Sequence, residues 1–330
     1  MKSNIKWIVA LVGVWILSPI LSKYFPPYET LILLQCGVAI ILATSLNLIN
    51  GFTGQFSMGH AGFMAVGAYA SSVITTVFYR DFFMSGMGDY FFFVPLLVGA
   101  IAAGLMGYLV GLPSLRLKGD YLAIVTLGFG EIIRVVLLNM EVVGGPRGMP
   151  GIPPLANFTW IFSSVVITFF VIWRIVKSRY GRSFVAVRED EIAAESMGVP
   201  TTQVKVWAFV IGAFFAGLAG GLYAHVVQIV TPTGFTFTKS FELIIMVVLG
   251  GMGSLSGSVI AAVLLTILPE ALRGYEAYTG GVDLRMVIYS FLLIVLMLSR
   301  PQGLLGRMEI NDIIAKLISW FRKKKAEVAS

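Results

Sequence analysis

Long apolar stretches separated by short polar ones run through most of the chain. Eight of them predict membrane-spanning helices, at residues 7–21, 31–49, 60–78, 91–112, 121–138, 158–176, 204–229 and 284–298. Their lengths come close to the about 20 residues that a helix needs to cross a bilayer. A further stretch, 241–269, is interrupted by glycines and can form one span, two spans or a half-helix followed by a span. The pattern therefore predicts an all-α, polytopic transmembrane helical bundle of about 8–10 spans with broken or re-entrant helices.

The first interruption, which we name the first glycine break, covers residues 51–59 and leads into the next predicted span. Glycines let the backbone leave helical geometry, and the freed polar groups are tolerated in a membrane only against protein or a wet cavity. The break is thus a candidate lining of a substrate path; close helix packing through small residues is an equally weighted interpretation, and both can hold. The candidate path residues are Gly51, Gly54, Gln55, Ser57, Gly59 and His60.

The second glycine break, residues 250–254, repeats the pattern Gly-x-x-Gly-x-[Phe/Leu]-Ser of the first one. Each break follows one apolar run and precedes another. Paired glycine-interrupted segments in the two halves of a membrane protein indicate a transport site. We therefore add Gly250, Gly251, Gly253 and Ser254 to the predicted translocation path.

A clearly water-soluble interval, residues 177–203, separates two predicted spans, and we name it the polar loop. It carries four basic residues followed by four acidic ones, then a short helical pattern that Gly198 and Pro200 should end. Small residues there leave a low surface on which another protein could pack. We interpret the loop as a cytoplasmic element that a partner moves. Its candidate contact residues are Arg188, Glu191, Ala193, Ala194, Glu195 and Gly198.

Basic residues determine the predicted orientation. With the polar loop inside, nearly every other basic cluster also falls inside, as the positive-inside rule expects. Both termini are then cytoplasmic. The predicted organisation is a transmembrane domain, 1–300, followed by a cytoplasmic tail, 301–330, whose apolar residues recur at helical spacing before a run of basic ones. Such an amphipathic basic helix is typical of a segment that lies on membrane lipid.

Composition supports the membrane class: 57% of the residues are hydrophobic and only 12% are charged, where soluble domains carry about 25%. The formal net charge of +7 is explained by basic cytoplasmic loops and predicts no nucleic-acid partner. Cys36 is the single cysteine of the sequence, which excludes an intrachain disulfide or a thiolate metal cluster.

Catalytic and cofactor motifs are missing from the sequence. It has no phosphate-binding Gly-x-x-x-x-Gly-Lys-[Ser/Thr] loop and no carboxylate–histidine cluster of the kind that binds metal, so we predict no cofactor, no metal and no ATPase site. Glu131 and Arg134 lie mid-span and three residues apart, so they can meet on one helix face. A self-satisfied intramembrane ion pair is the preferred interpretation, with a substrate contact as the alternative.

Several of these stretches resemble the permease family of branched-chain amino acid ATP-binding cassette (ABC) importers, in its larger, M-type subunit. The matching pieces, in order, are residues 45–51 and 54–62, 121–127 with 130–134, the Gly/Pro-rich 144–153, the polar loop, and 248–255. The resemblance covers roughly residues 31–300. The order of several motifs makes it more specific than any one of them.

The resemblance implies a type II-like importer in which this chain pairs with a second permease, two ATPase subunits and a periplasmic binding protein in the bacterial inner membrane. It also implies that the polar loop is the coupling loop, moved when the ATPases close. Many members have Glu-Ala-Ala-x-x-x-Gly there, and this sequence departs from the pattern by having Ile192 at the glutamate position.

Alternative functions are import of urea or short amides by the same kind of machine, or a self-sufficient secondary transporter or channel. The latter needs an ion-coupling carboxylate deep in the path, for which Glu131 is the plausible candidate, and its expected pairing with Arg134 argues against it. An intramembrane enzyme would need a nucleophile with a base or an acidic pair, and none is specific here.

Overall fold

A computed structural model describes residues 24–84, 88–115 and 119–273 continuously, together with positions 7, 9, 11–18, 290, 291, 294, 295, 298, 299, 303–306 and 309. Most of this part of the chain is α-helical. The sheet found within it consists of two antiparallel strands of two residues each, β1 (Met149–Pro150) and β2 (Ile229–Val230). The predicted all-α class is confirmed.

The helices are α1 (Pro27–Asn47), α2 (His60–Val73), α3 (Arg80–Met84), α4 (Gly88–Phe91), α5 (Phe93–Ser114), α6 (Asp120–Asn139), α7 (Phe158–Lys177), α8 (Arg179–Glu189), α9 (Glu191–Ser196), α10 (Thr201–Val227), α11 (Phe237–Gly250) and α12 (Leu255–Arg273). Two π-helical turns extend α1 and α2, at Leu48–Phe52 and Ile74–Phe78. Short 3-10 turns occur at Glu141–Val143, Gly145–Arg147 and Pro232–Phe235.

Seven helical segments within the described residues are long and apolar enough to cross a membrane, which makes the chain a multi-pass membrane protein. They coincide closely with the predicted spans from the second onward. The interrupted stretch forms two helices, of which α11 has 14 residues. At 1.5 Å per residue it is about 21 Å long, shorter than the about 30 Å bilayer core. Of the predicted span 7–21, positions 7, 9 and 11–18 are described and are helical, whereas most of the predicted span 284–298 and most of the predicted tail lie outside the described residues.

The core of the bundle is made where α10 packs against α5 and α2. Gly67 of α2 lies directly against the backbone of Gly217 of α10, and a side chain at Gly67 would overlap it. A Cβ on Gly99 of α5 would lie 2.7 Å from the Gly67 carbonyl oxygen. Small residues let helix backbones approach closely where lipid provides no hydrophobic driving force. Gly67 therefore serves close helix packing.

Candidate functional site

The first glycine break is an ordered turn between α1 and α2. The π turn at Leu48–Phe52 unwinds α1, and Gly54 then takes a left-handed conformation with φ +71°. Asn50 closes the turn from both sides: its Oδ1 accepts from the Ser57 backbone N–H at 3.1 Å and its Nδ2 donates to the Ser57 carbonyl at 3.4 Å. The backbone groups freed by the break are thus partly satisfied within the break itself.

The second glycine break joins α11 to α12 through two residues with positive φ, Gly251 (+111°) and Gly253 (+90°). Residues other than glycine rarely adopt such backbone angles. The N–H of Ser254 then donates to the Gly251 carbonyl at 3.1 Å. The turn reverses the chain, so that α11 and α12 pack side by side.

The structure brings the two glycine breaks into contact through Asn47, the last residue of α1. Asn47 Oδ1 accepts from the N–H of Gly253 at 2.9 Å, while its Nδ2 donates to the Ser254 carbonyl at 2.8 Å and to Ser258 Oγ at 2.7 Å. Gly51 lies so close to Asn47 and to the Gly253 N–H that it has no room for a side chain. Two segments that share a sequence pattern therefore form one hub, which we define as Asn47, residues 51–54 and residues 250–254.

Arg188 connects the polar loop to this hub. Its Nη1 donates to the Gly51 carbonyl oxygen at 3.0 Å, and its side chain covers Gly54. A Cβ built on Gly253 would lie 3.0 Å from the same Nη1. The remaining guanidinium nitrogens bind the Glu189 carboxylate, with Nη2 to Oε1 at 2.7 Å. Although predicted as a contact to a partner, Arg188 is largely buried against the breaks of its own chain.

The polar loop folds into α8 and α9. Asp190 caps α9, because its carboxylate accepts from the N–H groups of Ile192 and Ala193 at 2.9 and 3.0 Å. Gly198 ends the helix with φ +81°, and Pro200 precedes α10, as the sequence predicts. The local stop signals were sufficient to place this turn.

The predicted partner surface of α9 needs one correction. Ala194 points into the chain and is only 5% exposed, because its side of α9 packs towards the rest of the polar loop and α10. The other residues of this stretch from Ile192 to Gly198 are exposed, so of the predicted contacts Ala193, Glu195 and Gly198 remain open to a partner, beside Ile192 and Met197. Ile192 and Met197 are 71% and 84% exposed, which is unusual for apolar side chains without a covering protein or membrane.

Glu191 also serves the chain's own structure. Its carboxylate lies 2.5 Å from Nζ of Lys205, a lysine of α10 whose side chain is only 8% exposed. Pairing compensates for burying the ammonium group. This ion pair fastens the start of α9 to the start of α10, so that α8, α9 and α10 form a connected unit.

A buried polar cluster lies beside the hub. Gln55, Ser57 and His60 are all buried, and within the described residues the amide of Gln55 and the hydroxyl of Ser57 have no hydrogen-bond partner. His60 Nε2 lies 2.9 Å from Ser45 Oγ. Buried polar atoms without a partner are uncommon in folded proteins and suggest a functional role. Gly59 lies against the Thr126 carbonyl, so this residue also packs helices.

The pair Glu131–Arg134 lies on α6, with Oε2 and Nε 2.7 Å apart and side chains 30% and 24% exposed. Glu131 borders a crevice between the start of α2, the middle of α6 and the start of α11, whose walls include Met58, Phe235 and Ser240. The crevice is narrow, since the space open to the centre of a water molecule is about 10 Å³, about enough for one.

The family described as "Branched-chain amino acid transport system / permease component" matches residues 30–297. The chain belongs to this permease family. The high-affinity branched-chain amino acid transport system permease proteins LivM of Salmonella typhimurium and Escherichia coli are 38% and 37% identical to it, over 81% of this chain and 68% of each relative. LivH of Escherichia coli is 28% identical, over 83% of this chain and 92% of the relative. The comparison with solved structures gives no match.

The permease also places a carboxylate at the hub that the sequence did not reveal. Glu309 accepts from the N–H groups of Leu255 and Ser256 at 2.8 and 3.1 Å and from the Ser256 hydroxyl, and so caps α12. Nearby, the Leu304 N–H donates to the Leu249 carbonyl at 2.7 Å. Glu309 lies in the tail, 301–330, that the sequence predicts to carry an amphipathic helix on lipid. Its capping partners lie more than fifty residues away, and no local pattern could indicate them.

Asn47 is the other hub residue that sequence reasoning missed. It lies within the matching piece 45–51, so the resemblance contained the residue without giving it a role. An amide at the end of an apolar run was a usable signal, because a polar group at that position needs a partner. Its partners, however, are more than two hundred positions away.

Among the described residues, no three His, Cys, Asp or Glu side chains gather as a metal site would require.

Proposed function

We propose that this permease is the membrane subunit of an ABC importer that carries branched-chain amino acids across the bacterial inner membrane. The family and the names of the LivM and LivH relatives support this substrate class. Because relatives of both kinds match, we propose that the chain pairs with a second permease. Two ATPase subunits and a periplasmic binding protein complete the machine, with both termini of this chain in the cytoplasm.

Energy enters at the polar loop in this proposal. Ile192, Ala193, Glu195 and Met197 form the surface on which an ATPase subunit docks, and closure of the ATPases displaces α8 and α9. Arg188 transmits this displacement, since its guanidinium holds the Gly51 carbonyl and lies against Gly253. The hub then changes the tilt of α1, α2, α11 and α12 together, which is the rigid-body kind of transition that alternates access.

The solute passes along the two glycine breaks in this scheme. A branched-chain amino acid is an aliphatic zwitterion and needs polar groups without a fixed net charge along its way. Gln55, Ser57 and the backbone of the breaks offer such groups, and the unpartnered amide of Gln55 is the most available of them. Glu131, the carboxylate considered for ion coupling, is paired with Arg134. This pairing favours ATP over an ion gradient as the energy source.

The contact of Arg188 with both breaks is the observation that carries the mechanism, and Arg188→Gln tests it. The variant loses a charge-assisted hydrogen bond that contributes about 1.5–3 kcal/mol. This free energy corresponds to a change of about 10- to 100-fold in an equilibrium constant. In vesicles containing the complete complex, we expect uptake of labelled leucine to fall at least about tenfold while ATP hydrolysis continues.

Arg182→Gln is the matched control, because Arg182 is an exposed arginine on the same helix. Normal leucine uptake by Arg188→Gln would contradict the coupling mechanism. Uptake of labelled urea instead of leucine by the unaltered complex would contradict the substrate class. The chain would then belong to the alternative named above, an importer of urea or short amides with the same architecture.

A further inference from the structure

The ion pair of α6 lies near the middle of a helix that is long and apolar enough to cross a membrane. A charged group in the centre of a membrane helix costs about 2.5–3.5 kcal/mol even on the mildest scale. Glu131 and Arg134 nevertheless keep 30% and 24% of their side-chain surface accessible. Acyl chains do not solvate charges, so these accessible atoms face a polar space or another subunit. The crevice beside Glu131 is such a space within this chain.

The helix geometry extends the crevice towards Arg134. Leu127, Gly130 and Glu131 line it from α6, and Arg134 follows at the spacing that keeps a residue on the same helix face. Gly130 packs directly against Gly62 of α2, where a Cβ on Gly62 would lie 2.9 Å from the Gly130 Cα, so the two backbones touch beside the crevice. One end of the crevice is therefore lined by the Glu131 carboxylate, and the Arg134 guanidinium that binds this carboxylate lies next to it.

The other walls of the crevice combine apolar side chains with the hydroxyl residues Thr236 and Ser240. Met58, Phe235 and Phe237 contribute the apolar side chains, and the Oγ of Ser240 accepts from the Ala61 N–H at 3.2 Å. A ligand that matches this surface has a positive and a negative group close together and a hydrocarbon part next to them. An aliphatic α-amino acid has this arrangement, whereas urea and short amides lack both charges.

We propose that Glu131 and Arg134 form a zwitterion-binding subsite of the translocation path, a role that rests on the proposed function and makes its substrate class specific. Without solute the two side chains neutralise each other. When an amino acid enters a wider form of the crevice, the Glu131 carboxylate binds its ammonium group and the Arg134 guanidinium binds its carboxylate. Four charges then form two pairs, so no unpaired charge is left in the membrane. The aliphatic side chain lies against Met58, Phe235 and Phe237.

Charge removal is the first test. In vesicles with the complete complex, Glu131→Gln and Arg134→Gln should each lower leucine uptake about tenfold or more, as loss of one charge-assisted contact predicts, with binding-protein-stimulated ATP hydrolysis retained. The pair Lys239–Glu242 is the control, because it has the same spacing, a distance of 2.8 Å and similar exposure. Lys239→Gln and Glu242→Gln should transport normally. Normal uptake by Glu131→Gln would overturn the proposal.

An exchange of the two residues separates binding from structure. The double variant Glu131→Arg with Arg134→Glu retains an ion pair but reverses the charges relative to the apolar walls. If the pair only stabilises α6, uptake returns to normal and the proposal is wrong. If it binds the zwitterion, uptake stays low although the complex assembles.

A second measurement leaves both charges in place and so does not depend on how the variants fold. Thr236→Cys puts a thiol in the crevice, and Cys36, the natural cysteine, is buried. Leucine should slow labelling of this thiol in the working complex several-fold; isocaproate and isoamylamine, which each carry one of the two charges, should not. Equal protection by either analogue, or none by leucine, would overturn the subsite. Failure of the proposed function differs, because then the unaltered complex shows no ATP-dependent leucine uptake.

Discussion

Asn47 shows how much of the hub depends on one side chain. Its amide satisfies the Gly253 N–H, the Ser254 carbonyl and the Ser258 hydroxyl, and it is fully buried. The Ser254 carbonyl also accepts from the Ser258 N–H at 3.2 Å, so the backbone group of the break that depends on Asn47 is the Gly253 N–H. The sequence could indicate that each break needs polar partners. It could not indicate that one asparagine serves the second break from the end of the helix that leads into the first.

Replacing Asn47 with alanine should therefore destabilise the permease. Each buried backbone group that loses its partner costs about 1–3 kcal/mol. We expect a clearly lower Tm of the purified complex in detergent and little remaining uptake. Asn139→Ala is the matched control, because the exposed Asn139 only donates to the Val135 carbonyl of its own helix. Equal melting of the two variants would show that water or another residue replaces Asn47.

At the scale of elements, the sequence predicts features that depend on neighbouring residues, but not the packing of residues that are distant along the chain. The stop at Gly198 and Pro200, the spans and the position of both breaks follow from composition and spacing over a few residues. The burial of Ala194 and the direction of Arg188 depend on what packs against α8 and α9, at separations of up to 137 residues. In a six-residue helix with no clear apolar face, the sequence does not indicate which of the two neighbouring alanines is buried.

Neighbouring alanines of α9 provide the prediction at this scale. Ala194→Arg should lower the Tm and disrupt the polar loop, because the new side chain has no room in its buried site. Ala193→Arg should leave the Tm unchanged and weaken binding of the ATPase subunits, because Ala193 lies on the exposed side. Thermal unfolding and co-purification of the ATPases measure the two effects. Loss of ATPase binding without a change in Tm for Ala194→Arg would restore the original interpretation of a partner contact.

The whole molecule has an uneven distribution of buried surface. The segments Pro27–Phe52 and Thr201–Val227 are buried along most of their length, whereas Tyr121–Asn139 and Phe158–Lys177 are mostly accessible. The central helices carry the hub and the core, and the accessible ones lie at the outside of this chain. Sequence reasoning gave the class and the family from many weak signals over the full length. It did not give this layering, because every span is apolar.

The permease by itself should not transport solute against a gradient. The sequence has no phosphate-binding loop, and we propose that movement reaches the hub only through the polar loop. Vesicles that contain the purified chain alone should therefore accumulate no labelled leucine above the outside concentration, with or without ATP. The complete complex is the positive control. Accumulation by the chain alone would contradict the coupling mechanism at its source.

The cap that Glu309 places on α12 has a consequence for biosynthesis. Leu255 and Ser256 leave the ribosome well before the carboxylate that they bind, and the Leu249 carbonyl likewise waits for Leu304. The second glycine break therefore reaches its final hydrogen bonding only after translation has passed residue 309. A nascent chain whose synthesis stops before residue 309 would contain the second glycine break but not the cap on α12. The uncapped N–H groups would give membrane proteases a means of distinguishing this truncated chain from one that contains Glu309.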